Sequence, residues 1–252
     1  MSQHDIPLLA VAHGSRDPRS AQALAAAIRR LRARHPSREV QLAFLDLNAP
    51  SVGQAIDALA ARGERRAVVV PLLLGSAFHA RVDLPAILAE GRSRHPMLDV
   101  RCADILGDDP VLVAAARDSV VAEGLARDDS AVGVALCAVG SRRPAANDHV
   151  ATVADRVRAA TAWQVRACFA TSATPTVTEA LDELRAAGAR TLVVTPWMLA
   201  PGLLWDRVLA ATAAFPGVRS AAPLAAHADL ACVIDARYRD ALREPERLRR
   251  IA

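Results

Sequence analysis

Short apolar runs recur along the chain, and each is followed by a stretch of helix length whose apolar positions return every three or four residues. Leu8–His13, Val40–Leu45, Ala67–Leu74 and Val100–Ile105 are runs of strand length. Pro18–Arg34, Ser51–Arg62, Asp83–Arg94 and Asp109–Ala126 carry the helical period. Pro18, Ser51 and Asp109 are start signals, Gly63 is a stop signal, and Asp83, just before Leu84-Pro85, reads as a helix cap. Strands that are apolar throughout, alternating with helices, predict an α/β fold with a parallel sheet covered on both faces.

The pattern then restarts. Ala131–Val139, Val165–Ala170 and Thr191–Pro196 read as strands, and Pro144–Ala160, Thr176–Ala187, Gly202–Ala214 and Ala228–Leu242 as helices. The two halves share residues as well as pattern. Gly14-Ser15-Arg16 recurs as Gly140-Ser141-Arg142, VQLAFLDLNAPSVGQAIDAL from Val40 as VRACFATSATPTVTEALDEL from Val165, and VVVPLLL from Val68 as VVTPWML from Val193. The offset is 125 to 126 residues throughout. This predicts a tandem duplication of a four-stranded βα unit with its junction near Arg127–Ser130. The lobes would then be 1–127 and 128–252, packed about a pseudo-two-fold axis.

Composition narrows the function. The chain has 252 residues, 52% hydrophobic, enough for a sizeable core. All 31 basic residues are arginine and the net charge is +4. Aromatic residues are 3%, and the arginines are interspersed with acids, so the stacking platforms and basic runs of a nucleic-acid binder are missing. No apolar run is long enough to span a bilayer and no signal peptide is legible, so a soluble cytoplasmic protein is expected. Cys102, Cys137, Cys168 and Cys232 are widely spaced, form no CxxC pair, and read as small core residues.

In an open parallel sheet, ligands bind beyond the carboxyl ends of the strands. There the first half carries His13-Gly14-Ser15-Arg16, then Asp46, then Gly75-Ser76-Ala77-Phe78-His79 with Arg81. The repeat is an internal control: His13 aligns with Val139, Asp46 with Thr171, and His79 with Leu204 or Trp205. All three ionisable groups are lost from a copy that keeps the scaffold, which points to one active site, built on the first half and roofed by the second. Two imidazoles and a carboxylate suit a divalent first-row metal such as Fe, Co, Ni or Zn. His35 and His95 follow helices at Arg-His-Pro, where they face the dipole. His4 lies in the tail, and His149 and His227 read as helix residues.

The motifs AHGSRDPR from Ala12, AFLDLNAPS from Ala43 and VVVPLLLGSAFHARVDLP from Val68 resemble the class II chelatases of the sirohydrochlorin type. These enzymes insert ferrous iron or cobalt into sirohydrochlorin for siroheme or cobalamin. The resemblance covers both halves and is stronger in the first. It implies the chelatase fold, two flavodoxin-like lobes around a cleft, with His13 and His79 as the metal-binding and catalytic pair. The family usually has glutamate where this chain has Asp46, and the His-rich tail and iron–sulfur cysteine motif of some relatives are absent. The resemblance implies no resident cofactor: Fe2+, or next Co2+, is substrate.

Metal insertion requires a metal held by exchangeable ligands and removal of the pyrrole protons. Neutral imidazole can do both, and Asp46 can balance the dication or accept a proton. An anionic macrocycle calls for cations, and Arg16, Arg81, Arg142 and Arg207 fall at strand-end loops. With Gly14 and Ser15 they are the expected substrate-binding residues. The internal duplication predicts a monomer. Two competing readings are a non-catalytic tetrapyrrole or metal carrier of the same fold, and a phosphoester or nucleotide enzyme on a flavodoxin-like sheet, with Gly14-Ser15 cradling a phosphate. Retention of both histidines opposes the first, and no phosphate-binding glycine motif supports the second.

Overall fold

A computed structural model of the chain describes residues 6–75 and 83–249. The first half forms β1 (Leu8–Ala12), α1 (Pro18–Arg34), β2 (Val40–Phe44), α2 (Val52–Ala61), β3 (Arg66–Pro71), α3 (Leu84–Arg94), β4 (Asp99–Cys102) and α4 (Pro110–Val121). The second forms β5 (Val132–Ala138), α5 (Pro144–Arg158), β6 (Gln164–Phe169), α6 (Val177–Ala186), β7 (Thr191–Pro196), α7 (Leu203–Ala211), β8 (Arg219–Ser220) and α8 (Leu230–Arg249). Two four-stranded parallel sheets result, ordered β2-β1-β3-β4 and β6-β5-β7-β8. The central strands β1 and β5 are buried along their whole length, as continuous apolar runs require. The strand β8 is a correction to the reading of the second half: its two residues are exposed and polar, so no apolar run announces it.

The compact units are not the lobes 1–127 and 128–252. One runs to Gly107 and takes up the chain again from Ala228; the other is Asp108–His227. The reason lies in the two closing helices. In the second unit α4 packs on α5 and β7, and in the first α8 packs on α1 and β3. Each sheet is therefore closed by the last helix of the other half. In the first unit Asp235 of α8 is only 2% exposed and accepts from Arg38 at 2.5 Å, with His35 at 3.3 Å and Arg239 one turn on. The Arg38 guanidinium lies 4.0 Å over the Tyr238 ring, and the Tyr238 hydroxyl donates to Ile6 O at 2.7 Å.

A local device returns two helices of the first unit to the sheet. Arg32-Ala33-Arg34-His35-Pro36 and Arg92-Ser93-Arg94-His95-Pro96 end α1 and α3. Arg32 Nε donates to Val40 O at 2.7 Å, and Arg92 donates to Val100 O through Nε and a terminal nitrogen. Each arginine thus ties the last helical turn to the strand eight residues on. His35 and His95 are the C-caps, as expected, and each meets a carboxylate, Asp235 and Asp57. His149 lies in α5, but His227 closes a short 3-10 turn rather than a helix.

Two of the cysteines are core residues: Cys137 and Cys168 stand opposite each other in register and are buried, and contact with the Cys137 thiol, then burial, push the Cys168 thiol well up. Cys102 and Cys232 are exposed, contrary to expectation, because one ends an edge strand and the other lies in the first turn of α8 beside Arg34. No described helix is long and apolar enough to cross a membrane.

Candidate functional site at the carboxyl ends of the first sheet

The chain turns sharply where β1 ends, and that turn places His13. Gly14 has φ +101°, and a Cβ there would lie 1.8 Å from Asp46 O, so only glycine fits. The ladder between β1 and β2 continues past both strands: Leu45 N–H donates to Ala12 O at 2.9 Å and Asp46 N–H to His13 O at 3.0 Å. Two residues 33 apart in sequence are thereby set side by side, both exposed at the strand ends. The order β2-β1-β3-β4 reverses direction at β1, which is where open α/β sheets leave a crevice.

Neighbouring groups fix the loop. Ser15 N–H donates to Asn48 Oδ1 at 2.7 Å, which fastens the β1 loop to the β2 loop. Ser15 Oγ accepts from Asp17 N–H, and the buried Asp17 carboxylate caps α1 through Arg19 N–H at 2.9 Å. Hydrogen bonds from the Arg19 side chain, then from its N–H, hold the Asp17 carboxyl below the usual carboxylate range. Asp46 Oδ1 accepts from Leu47 N–H at 2.7 Å, with Leu47 in the left-handed region at φ 63°.

The second unit repeats this backbone without its chemistry. Gly140 has φ +92°, and a Cβ there would lie 1.9 Å from Thr171 O. Thr171 N–H donates to Val139 O at 2.9 Å, as Asp46 N–H does to His13 O, and Ser172 takes φ 57° where Leu47 takes 63°. The peptide bonds Ala49-Pro50 and Thr174-Pro175 are both cis. The aligned pairs His13/Val139 and Asp46/Thr171 thus occupy equivalent places. Trp205, one of the residues aligned with His79, is a core side chain 5% exposed.

The structure brings His13 and Asp46 together, with Gly14, Ser15 and Arg16 in the same loop. His79 and Arg81 lie outside the described residues, as does His4. Among the described residues no three His, Cys, Asp or Glu side chains gather as a metal site. Arg142 lies in the loop after β5 as expected. Arg207 does not lie in a loop: Gly202 starts α7 early enough that Arg207 sits inside the helix. Arg16, Arg142 and Arg207 are exposed and make no hydrogen bond or ion pair among the described residues. Asp83 stands at the N-cap of α3 but makes no side-chain cap bond, because its backbone is already helical at φ −69°, ψ −50°. Sequence reasoning missed Asn48, whose partner is 33 residues away, and Asp17, although an Asp directly before Pro18 is a legible capping signal.

Duplicated four-stranded parallel units, with imidazole and carboxylate on adjacent strand ends of the first alone, define a class II chelatase. The chain belongs to the CbiX family, whose model matches residues 7–123 and 133–241. A sirohydrochlorin ferrochelatase of Bacillus subtilis (strain 168) is 29% identical over 203 residues, 80% of this chain and 77% of that one. A sirohydrochlorin cobaltochelatase of Priestia megaterium is 25% identical over 172 residues, 67% of this chain and 56% of that one. The solved structure of SirB from Bacillus subtilis with Fe3+ matches with a TM-score of 0.81 at 25% identity, over 96% of this chain and 98% of that chain.

Proposed function

We propose that this chelatase inserts a divalent metal, Fe2+ ahead of Co2+, into sirohydrochlorin. The observation that carries the reading is the one-sided chemistry of equivalent turns: the first presents His13 and Asp46, the second Val139 and Thr171. Relatives named as ferrochelatases and as a cobaltochelatase support the substrate pair. The ferrochelatases match more of the chain, 80% against 67%, which supports iron first.

In this reading His13 and His79 hold the incoming dication as neutral imidazoles, and as it passes to the macrocycle each released imidazole takes one of the two pyrrole protons. Asp46 balances charge beside them. Its Oδ1 already accepts from Leu47 N–H, and the residue is exposed at the strand end. Arg16, without a partner among the described residues, meets the carboxylates that ring the macrocycle, together with Arg81.

The test is anaerobic metal insertion followed by absorbance, with sirohydrochlorin and Fe2+ or Co2+. His13→Ala and His79→Ala are expected to slow insertion at least about 100-fold, the loss typical of a general base. Asp46→Asn keeps an acceptor for Leu47 N–H while removing the charge, and is expected to slow insertion with little change in KM. Near-normal turnover in either histidine variant refutes the assignment.

A further inference from the structure

We infer that Leu47 is a substrate-binding residue: its side chain supplies the apolar seat on which a tetrapyrrole rests beside His13 and Asp46. This rests on the function proposed above. Leu47 is 51% exposed, one of few large apolar side chains so open among the described residues. It follows Asp46 directly, and Asp46 N–H is bonded to His13 O, so the isobutyl group stands at the rim that carries the ionisable pair.

Its backbone is the second observation. Leu47 takes φ 63°, a region in which non-glycine residues are uncommon and which favours asparagine and aspartate. The Asp46 carboxylate holds it there through the 2.7 Å bond from Leu47 N–H. A left-handed residue at a site is a motive for a functional hypothesis. Asn48, a natural occupant of such a position, is next door and serves instead to fasten Ser15.

The repeat supplies the third observation. The sister turn has the same geometry at Ser172, φ 57°, so the conformation does not require leucine. A polar residue serves where no ionisable pair is present; an exposed leucine stands where one is. The apolar partner that fits is the face of a flat macrocycle whose charges lie at its periphery, where the exposed Arg16 of the adjoining loop can meet them.

The experiment is steady-state insertion by the full chain, with sirohydrochlorin titrated at saturating Co2+, comparing Leu47→Ser and Leu47→Met. Leu47→Ser installs what the sister turn carries at this φ, so the turn is kept. Covering the exposed half of a leucine is worth about a tenfold change in affinity. Leu47→Ser is therefore expected to raise KM for sirohydrochlorin about tenfold with kcat unchanged, and Leu47→Met to restore it. The KM change is expected to persist at high salt, which sets it apart from an arginine contact. An unchanged KM in Leu47→Ser, a loss confined to kcat, or a KM change that disappears with salt overturns this inference and leaves the proposed function standing. Absence of insertion and of sirohydrochlorin binding by the unaltered chain overturns both.

Discussion

Gly14 and Gly140 each lie where the backbone of one strand-end turn touches the carbonyl of the next. At φ +101° and +92° an L side chain is strained, at a cost of roughly 1–2 kcal/mol by analogy with the left-handed helix. A Cβ would also stand inside contact distance of a main-chain oxygen, which cannot swing away as a side chain can. Gly14→Ala and Gly140→Ala are therefore both expected to cost more than about 2 kcal/mol, measured by urea unfolding. Equal losses bear out the equivalence of the two turns. A neutral Gly140→Ala beside a damaging Gly14→Ala would mean that the second turn has relaxed. At this scale the sequence was informative where a motif is contiguous, as in Gly14-Ser15-Arg16. It was silent on Asn48, because nothing local to Asn48 announces a bond to Ser15 N–H.

Helix starts position the loops that carry the site. The α1 start is held by Asp17, which bonds Arg19 N–H and pairs with the Arg19 side chain, while Asp17 N–H reaches back to Ser15 Oγ. The capped end and the His13 loop are thus one structure. Because the folded carboxyl is held below 3.8, its stabilisation is fully present above that pH and is lost as pH falls through the lowered folded value. Asp17→Ala is expected to be less stable than the unaltered chain at pH 7, with the gap narrowing below about pH 3.8. Urea unfolding at pH 7 and pH 3 checks this, and a gap of constant size would show that the carboxylate charge is not what stabilises the turn. The element scale was the most legible in sequence, because its signals are local. Ser51 with Gln54 and Thr176 with Glu179 form capping boxes within four residues. The strand β8 escaped because a two-residue edge strand, exposed and polar, has no apolar pattern to betray it.

At the scale of the whole molecule, the duplication was legible but the partition into units was not. The apolar faces of α4 and α8 say that each helix is buried, and nothing in them says on which sheet. Leu112, Val113, Ala115, Ala116 and Val120 of α4 are buried in the second unit, and Leu230, Ala231, Ile234 and Tyr238 of α8 in the first. A fragment of residues 1–127 would therefore keep α4 without the sheet it covers and lose the helix that covers its own. Two such fragments can satisfy both needs by lending each other α4, since α4 occupies in one unit the place α8 occupies in the other. Residues 1–127 alone are expected to self-associate rather than fold as a monomer. Residues 1–107 joined by a flexible linker to 228–252 are expected to form a folded monomer, because that junction reunites Asp235 with Arg38 and Tyr238 with Ile6. Within it, Asp235→Ala strands a buried guanidinium and is expected to cost about 3 kcal/mol. Light scattering with urea unfolding on the two fragments and the Asp235→Ala variant decides the matter: a stable monomer of 1–127, or a rejoined fragment that fails to fold, would mean that the exchanged helices do not complete their units.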